Sequence, residues 1–433
     1  MNTNKKYRAL LGIVSGLMVT EHVYADKFYG TASAFLEEND NGHKSTPEQV
    51  NERQDQYNLN LGGELINSML ELNAEYDAKA RTYSEKTQQD RNTVEGKSSL
   101  LIGQSSQPAD LLLEHSRIML LKKPDDINVT ENEDERDITS VIPTLRARIS
   151  SVDNIFVKGQ FIDVNYVESD FKNSRRDGGT VGFEHRISAT DNMQIFTQQT
   201  NIKFPNSPPE MLDPNYTYRS TEFVYSAKLR QLSYNAHIGL NESLPDSGKD
   251  YRGPKYAFEL GYNSGVQTVA INLRQELTDT SFGGGNKLPN DKQPSGTDSA
   301  HDLDRFERKR VDIHWQTHVL CDSCLLIAGA YQIHDRYLNL GQTSRQQGWN
   351  VGYNYALSYS STLSVQRSNG TNKFSDAILG NDYDVKNTRI EYSYKINRSF
   401  SVKCDLNNEK REALTGDGSY SESYIGAGMS YDF

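Results

Sequence analysis

The chain is poor in the features that usually staple or anchor a protein. It holds 3 Cys and 2 Trp in 433 residues, which excludes a disulfide-dense scaffold. Beyond the N-terminal region, no stretch approaches the roughly 18 consecutive apolar residues a membrane-spanning helix needs. Positive charge is in deficit, with 47 Lys and Arg against 58 Asp and Glu and a net charge of −11. That balance argues against a nucleic-acid partner. Mean hydropathy is −0.73, a value that ordinarily describes a water-soluble chain.

Two features pull against that description. Lys5, Lys6 and Arg8 precede an apolar run over Ala9–Thr20, and Val23-Tyr-Ala25 has the small-x-small form of a cleavage site. This pattern reads as a secretory signal peptide over residues 1–25. Its removal takes the net charge from −11 to about −13, since it carries Lys5, Lys6, Arg8 and Glu21. The second feature is a supply of 25 Tyr, a residue that suits strands and membrane interfaces.

Long stretches alternate with a period of two. Leu70, Leu72, Ala74 and Tyr76 interleave with Glu71, Asn73, Glu75 and Asp77, and Trp349, Val351, Tyr353 and Tyr355 interleave with Asn350, Gly352 and Asn354. Such a period sends neighbouring side chains to opposite faces of a sheet. An apolar face beside a polar, charged face is what a water-filled membrane barrel requires. It also reconciles export and negative hydropathy with the absence of apolar helices. Short links, such as Asn67-Ser68, Thr190-Asp191 and Ser360-Ser361, alternate with long polar ones, such as 39–55, 122–137 and 279–305. That asymmetry predicts short periplasmic turns and long extracellular loops. The fold class is therefore all-β: an antiparallel up-and-down transmembrane barrel over residues 26–433, of about 18 strands within a range of 16–20. Segments 98–107 and 111–121 alternate poorly and 27–36 can be read as a periplasmic lead-in, which places the number below a full count of segments. No N-terminal segment is long enough for a plug, which disfavours a plugged receptor.

The last strand, Tyr424–Phe433, alternates strictly, with Ile425, Ala427, Met429, Tyr431 and Phe433 on one face. It resembles the sorting signal of bacterial outer-membrane barrels. Ile425, Met429, Tyr431 and Phe433 are its candidate assembly residues. The resemblance implies recognition by the barrel assembly machinery, contact with outer-membrane lipid and a Gram-negative outer-membrane location. Gly426 and Gly428, on the other face, read as a smooth patch of lumen wall.

Candidate sites are few. Cys321-Asp-Ser-Cys324 sits at a predicted periplasmic turn. A disulfide suits that oxidising compartment, with free thiols or a redox or partner contact as alternatives. The next residue, Leu325, excludes a haem-attachment motif, and a zinc site lacks two ligands. Cys404 shares parity with Val402 and Leu406 and reads as lipid-facing. The predicted lumen carries both signs of charge: Glu71, Glu75, Asp77, Glu184, Glu259, Glu276, Asp312 and Glu391 against Lys79, Arg81, Arg186, Arg274, Arg389 and Lys395. These groups either tune passage or pair across strands. His314 and His318 join the lumen face, but four residues of strand separate them by about 13 Å, too far to share a metal. No catalytic residue, metal or cofactor is assigned. The glycine-rich segment 280–304 either folds inward or stays outside.

Gln107-Pro-Ala-Asp-Leu-Leu-Leu-Glu-His-Ser-Arg117 and Asp163-Val-Asn-Tyr166, with the alternating strands from Tyr57 to Phe433, resemble the barrel porin family of exopolysaccharide gene clusters. The resemblance implies a barrel of about 18 strands that passes a polysaccharide chain received from periplasmic export proteins. Uptake of small solutes or oligosaccharides, a sleeve around a periplasmic partner and, last, a barrel enzyme are the alternatives.

Overall fold

The computed structural model describes residues 27–433, except 47, 105–106, 124–125, 209–213, 283–302, 376–380 and 415–417. The signal-peptide reading of residues 1–25 lies outside the described residues. The strands are β1 Lys27–Asn39, β2 Glu52–Ile66, β3 Leu70–Tyr83, β4 Arg91–Ile102, β5 Ala109–Leu121, β6 Glu133–Arg148 and β7 Asp153–Tyr166. There follow β8 Ser174–Arg186, β9 Asp191–Lys203, β10 Tyr216–Lys228, β11 Leu232–Pro245, β12 Tyr251–Asn263, β13 Gln267–Asp279 and β14 Arg305–Thr317. The last are β15 Cys324–Tyr337, β16 Thr343–Ala356, β17 Ser361–Phe374, β18 Tyr383–Lys395, β19 Phe400–Ala413 and β20 Tyr420–Asp432. Each pairs antiparallel with its sequence neighbours, and β1 pairs with β20, so 20 strands form one closed barrel. The number is 20, the top of the expected range: residues 98–102 and 111–121 belong to the strands β4 and β5, and the expected lead-in 27–36 belongs to β1.

Five of the short turns share one seed. Asn67 Oδ1 accepts the N–H groups of Met69 and Leu70, and Asn397 Oδ1 those of Ser399 and Phe400, all at 2.8–2.9 Å. Ser150, Ser188 and Ser358 do the same with their hydroxyl oxygens. A side-chain acceptor that ties its own backbone two and three residues on closes a tight turn without help from the rest of the fold.

The outward face is a continuous apolar belt. Leu59, Phe161, Ile238, Val351, Ile390 and Ile425 are between 40% and 66% exposed. A belt of this extent in water would drive association, and closure leaves no strand edge across it. No described helix is long and apolar enough to cross a membrane. The chain crosses with strands, as a transmembrane barrel of the Gram-negative outer membrane.

The seam sets where the barrel closes. Nine residue pairs join Thr31–Asn39 to Asp432–Tyr424. Phe433 extends the ladder by one step, exchanging backbone hydrogen bonds with Gly30 at 2.9 and 3.0 Å. The Phe433 ring covers the face of Gly30, where an added β-carbon would lie 2.4 Å from it. Ile425, Met429, Tyr431 and Phe433 all face outward and are at least half exposed.

The lumen side of the seam differs from the smooth wall the sequence suggests. Phe35 lies opposite Gly428, is only 5% exposed, and spreads its ring over Gly426 and Gly428 beneath the Lys403 ammonium. The glycines are a bed for an aromatic ring. The same pairing recurs at Tyr29–Gly62, Phe156–Gly182 and Tyr331–Gly348. An aromatic ring laid over a glycine covers the glycine and fixes the register. A β-carbon at Gly428 would lie 2.2 Å from the Phe35 ring and 2.8 Å from the Ala34 carbonyl. Gly428→Val should therefore destabilise the barrel by about 1–3 kcal/mol. Gly63→Ala, whose nearest neighbours stand 3.7 Å away, should be neutral. Urea unfolding of the detergent-folded barrels checks both.

Candidate functional site: a divided lumen

Strand parity places the charged residues read from the sequence. Glu71, Glu75, Asp77, Lys79 and Arg81 of β3 face inward opposite Ile66, Gly62, Asn60, Asn58 and Gln56 of β2. Glu184, Arg186, Glu259, Arg274, Glu276, Asp312, His314, Arg389, Glu391 and Lys395 also take the inward parity. His318 is an exception. It lies beyond the end of β14 on the turn, where its Nδ1 donates to the Cys324 carbonyl at 2.9 Å. Among the described residues no His, Cys, Asp and Glu group gathers as a metal site.

Many of these charges pair with one another. Lys79 bridges Asp77 and Glu95, both at 3.1 Å. Arg389 meets Glu391 and Asp405, and Arg274 meets Glu259 and Glu276. Arg308 and Asp335 form a buried pair at 2.7 Å. Close pairing cancels the field that a ring of one sign would create.

Sequence reasoning missed how the extracellular half is filled. Two hairpins part from the preceding strand and lean into the lumen, each still laddered to the strand that follows it. The β12–β13 ladder stops at Tyr256 and Gln275, and beyond it Gln275–Asp279 and Arg305–Arg308 are buried on both faces. Leu277 enters a cluster with Ile202 of β9, Tyr216 and Tyr218 of β10, and Phe204 between them. The Asn241 amide, with its nitrogen toward the Gly253 carbonyl, accepts the Leu277 N–H at 3.1 Å. Asp279 is the anchor. Its carboxylate accepts from Arg176 at 2.8 and 2.9 Å, from the Tyr216 hydroxyl at 2.6 Å, and from the Ser281 and Phe282 N–H groups. Of the segment 280–304, the described start folds inward: Ser281 and Phe282 offer carbonyls to Tyr166 and Arg136, both at 2.7 Å.

The second hairpin is β5–β6. Its ladder with β4 stops at Gly96 and Arg117. Beyond that point Leu120 and Ile138 pack with Ile162, Val164, Tyr166 and Phe282, so the two hairpins meet. The other face of this hairpin turns toward β3, where Arg81 makes a two-pronged contact with Glu133.

The hairpins divide the lumen. The side toward β7–β11 is packed with side chains. The side toward β15–β3 keeps two chambers of about 360 and 610 Å³, which share Arg81, Asn128 and Glu133. Amides and charged groups share the smaller one: Asn39, Gln54, Gln88, Gln366, Asn387 and Asn407 stand among Glu37, Glu52, Glu409, Glu422, Lys44 and Arg389, beside Tyr83 and Tyr424. The larger one adds Gln56, Asn350 and Asn372 with Tyr331 and Tyr383. Loops clasp over the chambers. Gln88 donates to the Gly42 carbonyl at 3.0 Å and accepts from Thr130 N–H at 3.1 Å. Lys44 reaches down to Glu422 at 3.1 Å and Glu409 at 3.8 Å. Burial would lower its pKa, but Glu409 and Glu422 outweigh burial and raise it above the usual lysine value of 10.5. The stabilisation from this contact is complete below the ordinary lysine range and is lost only as pH rises through the raised value.

On the periplasmic side, Cys321 and Cys324 are bonded across the turn, with α-carbons 5.3 Å apart. Cys404 is free and exposed.

No family model and no curated protein matches the chain. Solved structures do resemble it. The loop L8 deletion mutant of OmpT, an outer membrane protein of Vibrio cholerae, is 10% identical over 94% of this chain and 98% of its own, at a TM-score of 0.37. The FrpB iron transporter of Neisseria meningitidis is 8% identical over 94% and 82%, at 0.46. OccK2 (OpdF) of Pseudomonas aeruginosa is 10% identical over 95% and 100%, at 0.42. Likenesses at this level carry no argument about activity.

Asp279→Ala removes the carboxylate shared by Arg176, Tyr216 and two backbone N–H groups. Breaking a buried pair of this kind costs about 3–5 kcal/mol. Single-channel recordings in planar bilayers should show larger or noisier conductance than the wild type.

Proposed function

We propose that the barrel is a porin-like conduit for a hydrated carbohydrate chain, and that it exports an exopolysaccharide. The observation that carries this reading is the lining of the two chambers. Amides offer paired donors and acceptors to hydroxyl groups, and rings such as Tyr331 give an apolar face on which a sugar can stack. Charges held in close pairs, such as Lys44 with Glu422 and Arg81 with Glu133, add little ion selectivity. The residues that resemble the exopolysaccharide-associated family support the same cargo. The mechanism is passive: many weak contacts replace one another as the chain advances, with no catalytic step. Export proteins of the periplasm would deliver the polymer, and the disulfide-closed turn faces that side.

Deleting the gene should abolish surface polysaccharide and leave growth intact. Normal surface polysaccharide in the deletion strain contradicts the reading. Uptake of oligosaccharides uses the same chambers, and sugar accumulation in vesicles by the isolated barrel, with polysaccharide unaffected by deletion, would favour it instead. In planar bilayers, maltooligosaccharides should interrupt the current. Tyr331→Ala should weaken that block by about 1 kcal/mol, roughly fivefold in Kd.

A further inference from the structure

Among the described residues the β4–β5 and β12–β13 ladders end short of the extracellular rim, and the two breaks differ. At β12–β13 the break is packed by Leu277, Tyr216 and Tyr218, with Tyr251 against them. At β4–β5 it borders a cavity. Among the described residues, Arg91–Glu95 of β4 have no ladder partner on β5. Side chains bridge the interval instead. Glu95 accepts the Met119 N–H at 3.0 Å, and Arg91 donates to the carbonyls of Thr130 at 2.8 Å and Glu133 at 3.1 Å. The 610 Å³ chamber is lined at this point by Thr93, Glu95, Met119 and Leu121. Only side chains therefore stand between the larger chamber and the outside of the barrel.

The exterior at the foot of this break is the second observation. Above Leu100, Leu113 and Val141 the outward column turns from apolar to polar on β4, β5 and β6. Tyr76 OH meets His115 Nδ1 at 2.6 Å and Ser98 Oγ at 3.0 Å. His115 Nε2 meets Asp137 at 2.8 Å, and Arg117 donates to the same carboxylate at 2.9 Å. An outward charge is costly at the membrane midplane and nearly free near the interface. The cluster thus marks the outer boundary of the belt, at headgroup height, where an incomplete ladder is tolerable because polar groups are at hand.

We propose that the β4–β5 break is a lateral portal. The saccharide head of an outer-leaflet amphiphile enters the larger chamber through it, while the alkyl chain stays in the lipid beside Leu100 and Leu113. The proposal rests on the proposed function for one point, the affinity of the chamber for hydroxyl-rich solutes, and adds a route the conduit does not require.

The test uses the wild-type barrel in phospholipid vesicles and a dodecyl maltoside with a diazirine on the chain next to the sugar. After irradiation, labelled peptides are mapped with and without excess free maltoheptaose. Labelling should concentrate on the peptides that carry Arg91–Glu95 and Met119–Leu121 and fall when maltoheptaose fills the chamber. Arg91→Ala, which removes one bridge, should increase labelling there. Even labelling around the belt overturns the portal, and so does labelling at the break that free sugar leaves unchanged. If maltoheptaose still interrupts the current while the labelling is even, the portal fails and the conduit stands. If it neither blocks nor binds, the conduit reading itself fails.

Discussion

Hydrocarbon offers backbone N–H and C=O groups no partner, so each must be satisfied within the sheet. This constraint governs the rest of the structure. It forces 20 strands into one closed ladder, and it makes the meeting of first and last strands the critical joint. That joint is closed by backbone pairs from Gly30 to Asn39 and locked on both faces by aromatic rings, Phe433 outside and Phe35 inside. A ring over a glycine seals a wall where a larger side chain would hold the strands apart.

The same constraint relaxes above the lipid, and there the chain departs from a simple cylinder. Two hairpins turn inward where their neighbours β4 and β12 no longer need pairing within hydrocarbon. Inside the barrel they bury apolar side chains on both faces and satisfy buried charge with matched partners, of which Asp279 with Arg176 and Tyr216 is the most complete. The cost of a wide, water-filled lumen is avoided on one side. On the other, a chain of amide-rich chambers is left open. Function follows from this asymmetry: the filled half supplies rigidity, and the open half supplies a path of limited width.

The sequence made the wall legible because alternation and link length both follow from the pleat. The inward parity of Glu71 to Arg81 and the outward parity of Ile425 to Phe433 could be read directly. The hairpins could not, because residues buried on both faces lose the period of two. Gln275–Asp279 looks like a polar strand end, although Leu277 is among the most buried residues of the chain. Pro254 was the available signal. It stands in β12 beyond the last pair with β13, an edge position where a missing N–H costs nothing. The poor alternation of 98–107 and 111–121 was a signal too. It reports the outward polar cluster and the broken ladder beside it.

The inward fold of the β13–β14 hairpin can be tested without any assumption about cargo. The hydroxyl oxygens of Ser174 on β8 and Ser281 lie 2.9 Å apart, although four strands, β9 to β12, separate β8 from β13 around the wall. In a Cys404→Ser background, Ser174→Cys combined with Ser281→Cys should form a disulfide in isolated outer membranes, with both thiols closed to maleimide. If the hairpin continues the wall upward, the two thiols will remain reduced and both will be labelled from the medium.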